Sequence, residues 1–135
     1  MDLKLQGKRA LVTGASKGIG RAIAEVLATE GCNLALAARS EKSLEALAES
    51  LTNKCKVVVS THVVDLSQSS EQQKLVNECS DVDILVNNAG AIPAGEIDEL
   101  EEEAWRAAWD LKVFGYINLC RAFFREMKQR GSGVI

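Results

Sequence analysis

Apolar positions in this chain follow two alternating rhythms. Short apolar runs predict strands at Arg9 to Thr13, Asn33 to Ala38, Lys56 to Val64 and Val82 to Asn87, with a last one opening at Gly133-Val134-Ile135. Between them, apolar residues fall three or four apart, the period of a helix face. Ile19, Ala22, Ile23, Val26 and Leu27 mark a first helix, Leu44, Leu47, Ala48 and Leu51 a second, and Leu75, Val76 and Cys79 the end of a third. A longer stripe runs through Trp105, Trp109, Val113, Tyr116, Cys120, Phe123 and Met127, while Phe114, Ile117 and Phe124 make the same region apolar on a second side. One side can pack on a sheet, and the other requires a partner.

Strands that alternate with helices build an α/β fold, a parallel sheet covered on both faces. Right-handed crossovers then place the strands in the order 3-2-1-4, with the order reversing between strands 1 and 4. Ligands bind at such a reversal, outside the carboxyl ends of the strands.

At 135 residues the chain is long enough for one core and too short for two, so residues 1–135 are read as a single domain. Sixteen Lys and Arg, dispersed along the sequence, stand against nineteen Asp and Glu, a net charge of -3 that speaks against nucleic acid or an anionic membrane as partner. The N-terminus lacks the apolar core of a signal peptide, and no apolar run reaches the ~20 residues of a membrane span. A soluble, cytoplasmic protein is expected. Cys32, Cys55, Cys79 and Cys120 form no Cys-x-x-Cys pair, so no metal site is expected and the thiols read as small buried hydrophobes. His62, the only histidine, lies in the third strand with no second ligand or nucleophile paired to it, and a structural role is expected.

The first strand runs into Thr13-Gly14-Ala15-Ser16-Lys17-Gly18-Ile19-Gly20, which opens the first helix. Backbone amides at a helix N-terminus point at an anion, and glycines let that backbone approach a pyrophosphate where a Cβ would collide. The nucleotide-triphosphate loop would end in Gly-Lys-Ser/Thr, but Gly20 precedes Arg21-Ala22. A dinucleotide is therefore the expected ligand. About 20 residues further on, an acidic residue would accept bonds from ribose hydroxyls and repel a 2'-phosphate. Ala38 and Arg39 stand there instead, and a guanidinium holds phosphate through paired charge-assisted bonds, with Lys17 in the glycine turn to assist.

Together, Thr-Gly-x3-Gly-x-Gly, Asp65-Leu66 after the third strand and Asn87-Asn88-Ala89-Gly90 after the fourth resemble the short-chain dehydrogenase/reductase family, over essentially the whole chain. The resemblance implies a Rossmann-type, doubly wound sheet and an NADP(H)-dependent oxidoreductase acting on a small carbonyl or alcohol. It assigns Gly14, Ser16, Lys17, Gly18, Ile19 and Gly20 to the pyrophosphate turn, Asp65 to the adenine amino group, and the Leu66 amide to a place beside it. Asn87, Ala89 and Gly90 would steady strand 4 and pass under the ribose and nicotinamide. Ala38-Arg39 matches the family's NADP-preferring pattern.

Two departures qualify that implication. The family's serine and Tyr-x-x-x-Lys pair follow strand 5, and this chain stops at Ile135. Its only tyrosine, Tyr116, has Cys120 four residues later, so no catalytic residue is assigned and the chain alone is expected to be truncated, inactive and prone to self-association. Where the family's Asn-x-x-Gly helix motif has asparagine, this chain has Lys112, in Asp110-Leu111-Lys112-Val113-Phe114-Gly115. An amide donates and accepts, whereas an ammonium only donates and adds charge. Lys112 and Tyr116, four apart, also share a helix face, a reversed order of the family's pair. The resemblance further implies homo-oligomers through the Trp105 to Met127 region. The alternatives are a non-catalytic NADP-binding or sensing module, and a signalling receiver domain with Asp65 as its phosphorylated aspartate.

Overall fold

A computed structural model of the protein describes residues 3–135. The elements are β1 (Arg9–Thr13), α1 (Gly18–Thr29), β2 (Asn33–Ala38), α2 (Glu41–Cys55), β3 (Val59–Val63), α3 (Ser69–Glu78), β4 (Ile84–Val86), α4 (Glu102–Trp109), a π-helical turn (Asp110–Phe114) and α5 (Gly115–Arg130). Every strand pairing is parallel, in the order β3-β2-β1-β4. The expected order holds, and it differs from the 2-1-3-4-5 order of receiver domains. Val134 adds one parallel bridge to Ile84, so the fifth strand begins beside β4 as expected.

Alternation along the central strands divides the core into two layers. Ala10, Val12, Leu34 and Leu36 face α1 and α2, packing with Ala24, Ala28, Leu44, Leu47 and Leu51. Leu11, Ala35 and Ala37 face the other way, onto Leu75 and Val76 of α3 and Leu119, Phe123 and Met127 of α5. Strands buried on both sides read as unbroken apolar runs, which is why β1 and β2 match their expected limits.

Elsewhere the boundaries move. The third strand starts at Val59 rather than Lys56, because Lys56 takes the left-handed conformation (φ 58°) that ends α2. The fourth pairs only over Ile84–Val86, since beyond it the Asn88 and Ala89 amides turn to the Thr13 side chain. In α1 the buried positions are Gly20, Ala24 and Ala28, whereas Ile19 and Val26 are 73% and 61% exposed. The start of the helix lies too close to the glycine turn for a side chain, since a Cβ on Gly20 would collide with the Gly14 carbonyl, while Ile23 and Leu27 pack half-buried against the core.

The long C-terminal stripe is also rephased. The π-helical turn, closed by the Gly115 amide on the Asp110 carbonyl five residues back, widens the helix so that the face before it does not continue after it. Ala108, Gly115, Leu119, Phe123 and Met127 are buried, while Trp105, Trp109, Phe114, Ile117 and Phe124 are exposed. Of the expected stripe only Phe123 and Met127 are buried.

His62 does tie elements together: Nδ1 lies 2.8 Å from Glu78 Oε2 at the end of α3, and Nε2 lies 3.0 Å from Ser60 Oγ. Arg9 extends the network to Ser60 and Asp81. The four cysteines are free, Cys32 and Cys79 buried and Cys55 and Cys120 half-buried. Burial pushes the Cys79 thiol up to about 11, so it is inert as a nucleophile at neutral pH. Among the described residues no cluster could hold a metal ion, and no helix is long and apolar enough to cross a membrane.

Phe123 is the largest fully buried side chain. Phe123→Ala should lower the unfolding free energy by about 3–5 kcal/mol in urea titration, through lost transfer energy and the cavity left behind. A loss below about 1 kcal/mol would show that α5 does not seal this layer.

Candidate functional site

The site is organised where β1 and β4 part. Thr13, fully buried, donates from Oγ1 to the Val86 carbonyl (3.2 Å) and accepts from the amides of Asn88 (2.9 Å) and Ala89 (3.0 Å). Asn88 returns the tie, its side-chain amide donating to the carbonyls of Thr13 (3.0 Å) and Gly14 (3.3 Å). Neither residue was assigned a site role from the sequence. The available signal was an asparagine pair at the end of a strand, beside a threonine that ends the neighbouring one.

The three glycines do different work. Gly14 has φ +66°, and a Cβ there would stand 2.9 Å from the Ala89 Cα, so the protein's own backbone excludes a side chain. Gly20 is excluded by Gly14 and Asn88 in the same way. Gly18 (φ +57°) differs, because a Cβ there would meet nothing within 4 Å. It opens α1, whose first turn carries no acidic residue and no side-chain cap. The free amides of that turn therefore face an open, unneutralised space, the condition for binding an anion.

That space is a cleft of about 870 Å³ along the carboxyl ends of all four strands, within the range of cofactor pockets. Of the expected site residues, Gly14, Ser16, Lys17, Gly18 and Ile19 line it from the glycine turn, Arg39 from the end of β2, Asp65 and Leu66 from the end of β3, and Ala89 and Gly90 from the end of β4. Gly20 and Asn87 do not. Gly20 packs beneath the turn, and the Asn87 side chain points instead to α5, where Nδ2 lies 3.1 Å from Cys120 Sγ while Oδ1 is buried without a partner.

Charge in the cleft is unbalanced. Its carboxylate, Asp65, accepts at Oδ1 from the Ser67 amide (3.0 Å) and hydroxyl (2.8 Å). Those two donors, helped by nearby Arg39 and opposed by burial, hold its carboxyl below the ordinary aspartate range. Oδ2 accepts no hydrogen bond among the described residues. Lys17 and Arg39 form no ion pair there either.

A third cation enters from the π-helical turn. Lys112 lines the cleft with its stem against Gly90, where an added Cβ would lie 3.1 Å from Lys112 Cδ. Its Nζ is 3.3 Å from Tyr116 Oη and 5.0 Å from the ring centroid. The two residues anticipated as helix neighbours do meet.

The glycines give a clean stability contrast. Gly20→Ala should cost at least about 3 kcal/mol, because backbone cannot yield to the new Cβ, whereas Gly18→Ala should cost only the about 1–2 kcal/mol of a left-handed alanine. Thermal unfolding of both variants checks this, and equal losses would contradict the assigned packing.

Comparison with known proteins agrees with this geometry. The short chain dehydrogenase family model matches residues 8–135. An uncharacterized oxidoreductase of Staphylococcus saprophyticus is 37% identical over 98% of this chain and 58% of its own length. The 3-oxoacyl-[acyl-carrier-protein] reductase of Escherichia coli is 35% identical over 98% of this chain and 54% of its own. Among solved structures, L-sorbose reductase from Gluconobacter frateurii, complexed with NADPH and L-sorbose, superposes with a TM-score of 0.91 at 37% identity, covering 99% of this chain and 53% of that one. A short-chain dehydrogenase from Sphingobium yanoikuyae in complex with NADPH gives 0.88 at 30% identity, covering 94% and 51%. The chain spans about half the length of these relatives and shares their Rossmann-type fold: it belongs to the short-chain dehydrogenase family.

Proposed function

We propose that this chain is the dinucleotide-binding half of an NADP(H)-dependent oxidoreductase that acts on a small carbonyl or alcohol. The observation that carries the reading is the positive, open cleft at the strand-order reversal, with Gly18 unobstructed and no acidic residue at the end of β2. The residues fit the cofactor. First-turn amides of α1 would hold the pyrophosphate over Gly18, and Asp65 Oδ2 would accept from the adenine amino group. Arg39 and Lys17 would hold the 2'-phosphate, while the Ala89-Gly90 backbone would run along the ribose and nicotinamide. When bound, the nicotinamide gives or takes the hydride. This chain's residues bind and orient it, and we assign none of them to proton transfer. The relatives solved with NADPH support the cofactor choice.

In calorimetry, NADPH should bind more tightly than NADH, and Arg39→Ala should narrow the gap by roughly 1.5–3 kcal/mol, the worth of a charge-assisted contact. Equal affinities in the unmodified chain would defeat the NADP assignment.

The α4–α5 surface supports self-association. Exposed Trp109, Phe114, Ile117 and Phe124 follow an acidic start (Glu99, Glu101, Glu102, Glu103), and Arg121, Arg125 and Lys128 make the Phe124 end basic, so an antiparallel second copy brings opposite charges together over apolar surface. Phe124→Glu should shift the protein to monomer in sedimentation velocity without lowering its thermal stability. A variant that sediments like the parent would remove this face from consideration.

A further inference from the structure

We infer that Lys112 recognises an anionic group on the second ligand of the cleft, so that the carbonyl or alcohol substrates of this site carry a carboxylate or a phosphate. The inference rests on the dinucleotide reading and goes past it, since it concerns a cation that the dinucleotide does not require.

Position separates Lys112 from the other two cations. Arg39 follows β2, the glycine turn with Lys17 follows β1, and Gly90, against which the Lys112 stem lies, follows β4. In the order β2-β1-β4 the first and last of these ends are two strand spacings apart, roughly 9–10 Å. Lys112 stands beyond the pyrophosphate turn, at the end of the cleft opposite Arg39.

Its charge is uncompensated there. Its polar partner is the phenol oxygen of Tyr116 at 3.3 Å, and no carboxylate pairs with the ammonium among the described residues. Asp65, the carboxylate of the cleft, lies at the far side, at the end of β3, with Oδ1 held by Ser67.

The ammonium is also placed rather than loose. The stem occupies the space a side chain on Gly90 would take, with Nζ 3.3 Å from that position, and the head sits 5.0 Å over the Tyr116 ring. Lys112 stands in the π-helical turn. An ammonium only donates, so the group it selects must accept strongly and neutralise it, as a carboxylate or phosphate oxygen does and a lone carbonyl does not.

The test uses the chain saturated with NADPH and reads weak binding by saturation-transfer NMR. The probes are 4-oxopentanoate, its neutral methyl ester, and dihydroxyacetone phosphate. Either anion should bind about fivefold or more tightly than the ester, and whichever does identifies the group. Lys112→Gln should erase the preference, Lys112→Arg should keep it, and NADPH affinity should change less than about twofold in both. Ester and anions binding alike, or no anion response while NADPH binds, overturns the inference and leaves the dinucleotide reading standing. A fivefold loss of NADPH affinity in Lys112→Gln overturns it too, by giving the ammonium to the cofactor's own phosphates. Failure of the unmodified chain to bind NADPH defeats the dinucleotide reading and this inference with it.

Discussion

The site depends on one buried hydroxyl. Where strand order reverses, the backbones leaving β1 and β4 diverge, and amides that would continue the ladder lose their partners. Thr13 Oγ1 takes two of them, from Asn88 and Ala89, and gives its proton to Val86. A buried amide without a partner costs about 1–3 kcal/mol, so this side chain lets the crevice open without leaving backbone groups stranded. Asn88 fastens the other side by holding the Thr13 and Gly14 carbonyls. The glycine turn, the start of α1 and the Ala89-Gly90 segment all take their positions from this joint.

The same joint explains why the cleft is polar in a directed way. The backbone of the glycine turn is tied down from below, so its upper surface presents amides and no side-chain cap. Cations then stand around those amides without ion pairs among the described residues, a field that an anionic ligand neutralises. Stability and binding are thus coupled, because a ligand that binds only the folded chain stabilises it.

Legibility from sequence tracked how completely a segment was buried by regular structure. β1 and β2 are covered on both faces, so their apolar runs coincide with their limits. Val58 belongs to the same apolar run as β3 yet sits 72% exposed in the connection, because the run records hydrophobicity and Lys56 records where α2 ends. In α1 the expected stripe was right only in part: Ile23 and Leu27 pack against the core, while Gly20, Ala24 and Ala28 take its buried centre and Ile19, Ala22 and Val26 stay outside. Most cleft residues were legible because their motif carries backbone requirements, as at Gly14 and Gly18. Thr13 and Asn88 act through hydrogen bonds between distant segments, and no local pattern marks such bonds. Lys112 lines the cleft from a π-helical turn that 3.6-residue periodicity cannot register.

That turn has a consequence for how this chain tolerates change in length. Each residue of an α-helix advances about 100° around its axis, so the one extra residue held in the Asp110–Phe114 turn shifts which sequence positions face the core before and after it. The shift is a matter of residue count: with one residue removed, α4 and α5 could join as a regular α-helix whose buried positions keep their directions, and the wide turn that holds Lys112 would be gone.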